Sequence, residues 1–154
     1  VGKNWRHELL ILAESWYGGD CGLDTYVEDW AAGRERDHLF TRLYNACNSD
    51  GLRRDFATFD EKMKFWHQFA FDNLVNWSFD DTPKRRPKRS EFIEATKTLN
   101  DRVEKLRPKK VWVIGKKAWE HASPILSKVD FHLCWCEHRA SSSIFRTRFN
   151  CTPH

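Results

Sequence analysis

Five places in the chain carry residue types that can work on a substrate. Glu14 ends an apolar run and precedes the turn Ser15-Trp16-Tyr17-Gly18-Gly19. A carboxylate there can hold a water or stabilise developing positive charge. His138 follows a later apolar run and can give a hydrogen bond, or charge, to an anionic leaving group. Just beyond it, Ser141, Ser142 and Ser143 offer hydroxyls and backbone N–H groups to a phosphate. Asn73 lies inside an apolar run. Its amide both donates and accepts, which suits reading the edge of a base. The segment Lys84-Arg85-Arg86-Pro87-Lys88-Arg89 sets five positive charges in six residues, a pattern suited to phosphate contact. Each feature also has an ordinary structural reading: a surface or capping carboxylate, a loop histidine, a satisfied structural amide, and solvated loops.

Those residues need elements to position them. Four short apolar runs read as strands: residues 8–13 (ELLILA), 69–77 (FAFDNLVNW), 110–115 (KVWVIG) and 131–137 (FHLCWCE). Near-continuous apolar runs of this length suit a parallel sheet covered on both faces. Helical patterns lie between them. Residues 28–48 can hold one or two helices, and residues 60–67 a short one. Residues 90–107 read as one long helix, capped by Ser90 and closed by Pro108. A last helix is expected over 116–122, ending before Pro124. This alternation predicts a single α/β domain over residues 1–154. Its form would be a three-layer α/β/α sandwich around a central four-stranded, mainly parallel sheet. In such sheets ligands bind outside the carboxyl ends of the strands. Glu14 to Gly19 follow the first run, the basic segment follows the second (which carries Asn73), Gly115-Lys116-Lys117 end the third and His138 to Ser143 follow the fourth, so the polar residues collect at one end of the molecule.

Composition narrows the options further. With 154 residues, 40% apolar and 14% aromatic, the chain can bury a core of its own. A mean hydropathy of −0.72 is polar but within the range of globular proteins. No apolar run approaches the roughly 18 residues a membrane span needs, and no signal-peptide or low-complexity pattern is present. The chain opens on Val1 rather than Met, as expected if a few N-terminal residues have been trimmed. The net charge is +4, unevenly spread. Residues 84–117 hold 13 basic and 4 acidic side chains, whereas residues 20–61 hold 5 basic and 10 acidic. That polarity suggests one face for a polyanion. The five cysteines, Cys21, Cys47, Cys134, Cys136 and Cys151, show no paired C-x-x-C knuckles. They read as free buried thiols in a reducing cytosol rather than a metal or iron–sulfur site.

The order of these motifs resembles the uracil-DNA glycosylase superfamily, especially its small prokaryotic members. Those proteins have a first strand ending in a G-E-[AS]-x-G-like motif, matched here by Ala13-Glu14-Ser15-Trp16-Tyr17-Gly18. An Asn on the second strand is matched by Asn73. An Arg-Pro segment and an acidic residue opening a helix are matched by Arg86-Pro87 and Ser90-Glu91. A Pro-x-x-[VI] strand closing in Gly is matched by Pro108 to Gly115, and an H-P-S loop by His138-Arg139-Ala140-Ser141. The likeness spans nearly the whole chain.

The resemblance implies roles. Glu14 would position water or stabilise an oxocarbenium-like sugar, and His138 would hydrogen-bond the departing base. Asn73 would read a flipped base, Tyr26 would stack on it, and Ser15 and Tyr17 would complete its pocket. The loop from Arg139 would enter the duplex, with Ile144 or Phe145 as an apolar wedge. Arg85, Arg86, Lys116, Arg139 and the three serines would contact the DNA backbone. The implied reaction is base flipping, then cleavage of the N-glycosidic bond by a monofunctional enzyme that needs no metal or cofactor and leaves an abasic site. The implied partner is duplex or single-stranded DNA, met by a cytoplasmic monomer away from membranes. Arg139 stands where the family has Pro, and Ala13 where it has Gly. These departures widen the expected target from uracil to modified pyrimidines, including glucosylated hydroxymethylcytosine of phage DNA. Repair and antiviral defence are both compatible roles. The alternative is a non-catalytic DNA-binding module on the same fold. An unrelated nucleotide-binding domain is disfavoured, because neither G-x-G-x-x-G nor a P-loop is present.

Overall fold

The computed structural model describes residues 5–6, 8–15, 22–47, 58–76, 86–128, 132–136 and 150–151. Strand β1 (Leu9–Ser15) leads into helices α1 (Leu23–Ala31), α2 (His38–Cys47) and α3 (Phe59–Trp66). Strand β2 (Ala70–Val75) follows, then α4 (Arg89–Lys97), α5 (Leu99–Leu106) and β3 (Lys110–Ile114). Helix α6 (Lys116–Leu126), β4 (His132–Cys136) and the two-residue β5 (Asn150–Cys151) complete the order.

The strands form one sheet in the order β2-β1-β3-β4-β5. β1 pairs in parallel with β2 and β3, and β3 in parallel with β4. The expected four-stranded sheet is therefore corrected to five strands. β5 adds an antiparallel edge, with Cys134 opposite Cys151 and Trp135 opposite Asn150. A two-residue strand has too little apolar pattern to be read from sequence, and it exists only because β4 leaves an edge to pair with.

Both faces of the sheet are covered, which explains the unbroken apolar runs. Leu10, Leu12, Val111, Val113 and Leu74 pack with Phe92, Ala95, Leu99, Val103, Ala118, Ala122 and Leu126 of α4, α5 and α6. On the opposite face, Ile11, Trp112 and Ile114 meet Val27, Trp30, Phe40, Leu43, Phe65 and Trp66 of α1, α2 and α3. Successive residues of β1 thus alternate between two cores, as the two-residue period of a strand requires. The second core is aromatic. Trp66 alone has the rings of Phe40, Phe69 and Phe71 at 4.2, 5.0 and 5.5 Å between centroids.

Three helix boundaries differ from the sequence reading. The first helix begins at Leu23 rather than near Glu28. The single helix expected over residues 90–107 is two, broken at Thr98 (φ −103°, ψ −3°). Thr96 and Thr98 donate their hydroxyls to the carbonyls of Ile93 and Ala95, a local alternative that weakens the helical ladder. Its start is fixed not by Ser90 but by Glu91, whose carboxylate accepts from the Lys88 backbone N–H at 2.6 Å. Finally, α6 runs through Pro124 to Leu126. Proline forfeits one backbone bond there, close to the helix end, and the complete burial of Leu126 carries the last turn. The cysteine side chains lie outside the described residues.

β2 is an edge strand, and α5 secures it through Arg102. The guanidinium donates to Asp72 Oδ2 at 2.7 Å and to the carbonyls of Asn73 and Leu74, each at 2.9 Å. Burial pushes the Asp72 carboxyl above its ordinary value, against the pull of Arg102. Asp72 therefore contributes most stability below its unfolded pKa near 3.8, and the contribution is lost as pH rises through the higher folded value. Arg102→Met leaves the carboxylate and two carbonyls without this donor. The expected cost is about 2–4 kcal/mol, because removing one partner strands the other in a partly buried place. The loss should be larger at neutral pH than at pH 4–5, since Asp72 can then take up a proton only against the solution. Thermal melts across that pH interval read this difference; an equal loss at both ends would mean that the carboxylate is not what Arg102 holds.

Candidate functional site

The topology picks out one place on the sheet. From β1 the chain crosses to β2 on one side, and from β3 it crosses to β4 on the other. The connections diverge from neighbouring strands, which opens a crevice beyond the carboxyl ends of β1 and β3. Glu14 sits at that end of β1, and Gly115 follows β3 immediately.

Gly115 adopts φ +102° and ψ 137° as it turns the chain into α6. This region is open to glycine and strained for other residues. A Cβ built there would meet Glu14 Oε2 at 3.7 Å, an ordinary contact distance. Gly115→Ala is thus expected to cost about 1–3 kcal/mol through its backbone rather than by displacing the carboxylate. A melt should show the loss, while the activity per folded molecule stays within a few-fold. A collapse of activity with an unchanged melt would contradict this.

Glu14 is largely enclosed, its side chain 15% exposed, and Arg86 reaches it with Nε 3.4 Å from Oε1. Arg86 itself is 77% exposed. Its neighbour Pro87 is buried.

Ser15 and Asn73 are the buried polar residues among those described, at 8% and 9% exposure. In register, Ala13 lies beside Asn73 and Ser15 beside Val75, so Ser15 and Asn73 occupy adjoining strand ends. The Ser15 hydroxyl is buried with no hydrogen-bond partner among the described residues. Such a group is costly to bury unpaired. The Asn73 backbone is held on both sides, its N–H donating to Asp72 Oδ1 at 2.8 Å and its carbonyl accepting from Arg102.

Lys116 opens α6 at the same end and is exposed. Tyr26 lies in the α1–α2 interface. Its hydroxyl donates to Asp37 Oδ2 at 3.0 Å, and its ring meets Phe40 edge-on at 5.5 Å. Tyr17, Arg85, His138, Arg139, Ser141, Ser142, Ser143 and Ile144 lie outside the described residues. The structure adds one residue that sequence reasoning missed: Arg102, an unremarkable cation in a charged helix until its contacts to β2 are seen.

A family model for the uracil DNA glycosylase superfamily matches residues 31–153. The chain belongs to the uracil DNA glycosylase superfamily. Superfamily membership points to DNA glycosylase activity and to DNA as the partner. The matched span takes in Asn73, Arg86, Lys116 and the segment around His138. It begins at the last residue of α1, so Glu14 and Ser15 precede it. Their link to the superfamily core is the hydrogen-bonded register of β1 with β2 and β3. No curated protein matches the chain. Among the described residues, no helix is long and apolar enough to cross a membrane.

Proposed function

We propose that this chain is a monofunctional DNA glycosylase acting on a non-standard or modified pyrimidine. The observation that carries the reading is the enclosed Glu14 carboxylate at the topological crevice of a uracil DNA glycosylase superfamily chain. The target nucleotide leaves the stack and enters the crevice. The C1′–N bond breaks with its electron pair on the base, so the sugar gains positive character. Glu14 stabilises that charge and takes a proton from the water that adds to C1′. Asn73 reads the base edge, with Ser15 beside it. His138 hydrogen-bonds the leaving base, and Arg139, Ser141, Ser142, Ser143 and Ile144 hold the opened duplex. The residues act without a metal or cofactor, as a single domain over 1–154 and as a monomer in the cytoplasm. The base is of the uracil type or is glucosylated hydroxymethylcytosine, which sets the role as base-excision repair or phage defence.

A panel of duplex and single-stranded DNA tests this. It carries uracil, hydroxymethyluracil, hydroxymethylcytosine and its glucosylated form, and alkali converts abasic sites to strand breaks. Breaks at uracil place the protein in repair. Breaks only in glucosylated DNA place it in defence. The irregular first motif, with Ala13 where the family has Gly and Trp16-Tyr17 before Gly18, favours one second reading: a non-catalytic DNA-binding module. DNA binding without breaks on any substrate would establish that reading instead.

A further inference from the structure

We infer that Arg86 is a positioning residue that couples contact with the DNA backbone to the orientation of Glu14; the inference rests on the glycosylase reading above. Three observations carry it. The Arg86 Nε lies 3.4 Å from Glu14 Oε1, so the guanidinium touches the carboxylate expected to do the chemistry. Glu14 is 15% exposed and Arg86 77%, so one member of the pair is enclosed and the other reaches solvent. Arg86 also belongs to the stretch Lys84 to Arg89, where five of six residues are cationic.

A guanidinium is a rigid planar fork with five N–H donors, and it can hold two anions on different edges. Here the Nε edge is turned to the carboxylate. Arg86 is 77% exposed, and the cations beside it in sequence would draw a polyanion to it. A phosphate docking there draws the guanidinium into one orientation. The carboxylate paired with it is then fixed as well. Arg86 thus does more than add affinity: it makes the position of Glu14 depend on DNA being seated. Lysine cannot substitute fully, because a point charge has no second edge at a fixed angle to the first. The buried Pro87 keeps the backbone of Arg86 in place, so the coupling runs through the side chain.

A double-mutant cycle with Glu14 tests the coupling. Single-turnover excision at saturating DNA and DNA affinity are both measured for wild type, Arg86→Met, Glu14→Gln and the double variant. The substrates are the uracil, hydroxymethyluracil and glucosylated hydroxymethylcytosine duplexes. Arg86→Met is expected to lower the saturated rate at least tenfold in the wild-type background and to weaken DNA binding. In the Glu14→Gln background it should weaken binding by the same factor and leave the residual rate unchanged. Arg86→Lys should keep affinity within a few-fold while recovering only part of the rate. Two results would overturn the inference while leaving the glycosylase reading intact. One is an Arg86→Met variant that loses affinity alone; the other is an equal fall in rate in both backgrounds. A wild type that excises none of the three bases would defeat the glycosylase reading, and this inference with it. Melting curves confirm that each variant is folded.

Discussion

Glu14→Gln is expected to lower the excision rate by about 10²–10⁴-fold, or about 2.7–5.5 kcal/mol of transition-state stabilisation, with DNA affinity changed by no more than a few-fold. Glutamine matches the shape of glutamate, so the approach to Gly115 and the contact with Arg86 can both persist. The negative charge and the ability to take a proton are what disappear. A sugar that gains positive charge as its base leaves is sensitive to both, and the enclosure of Glu14 strengthens the effect by limiting water around it. Single-turnover kinetics on the cleaved substrate measure the change, and fluorescence anisotropy measures affinity. A rate within threefold of wild type would remove Glu14 from the chemistry. A large loss of affinity instead would make its role structural.

Trp66→Ala should be the most damaging single change to the fold, costing about 3–5 kcal/mol. Trp66 is 5% exposed and sits at the junction of α1, α2, α3 and β2. Its ring contacts include Phe40 at 4.2 Å, Phe69 at 5.0 Å, Phe71 at 5.5 Å, Phe65 at 5.8 Å and Trp30 at 6.1 Å. Alanine leaves a cavity between rigid rings that cannot close round it. For a chain of this size, that loss should lower the melting temperature by about 10 °C or more. Against a typical total stability of about 5–15 kcal/mol it is a large fraction. Trp66→Phe provides the contrast. The indole Nε1 is buried without a hydrogen-bond partner among the described residues, so removing it costs packing but no polar contact. A loss of about 1–2 kcal/mol is expected for that variant. Similar melts for the two variants would mean that the aromatic cluster relaxes freely and that its packing is not the source of stability.

Much of this architecture is visible in local patterns. The apolar runs at ELLILA, FAFDNLVNW and KVWVIG mark β1, β2 and β3, because a strand covered on both faces must be apolar on consecutive residues. The same patterns place Glu14 at a strand end, where its run gives way to polar residues, and Asn73 as a polar residue inside a strand. Other features were less legible because they depend on competition between weak local terms. The break at Thr98 reflects hydroxyl bonds to neighbouring carbonyls, and the passage of α6 through Pro124 reflects burial of Leu126. The two-residue β5 has no pattern of its own.

What the sequence determined by itself was the kind of layer each segment builds and which chemical groups stand at its ends. Those follow from side-chain periodicity, which acts over a few residues. Only the tertiary structure decided the strand order, and with it the crevice between β1 and β3. It also decided that Arg86 meets Glu14, that Gly115 borders the same carboxylate, and that Arg102 fastens the strand bearing Asn73. Periodicity specifies which face of an element is buried and leaves open which other element buries it. That choice is made when the two cores close on opposite faces of one sheet and every segment must find its place at once.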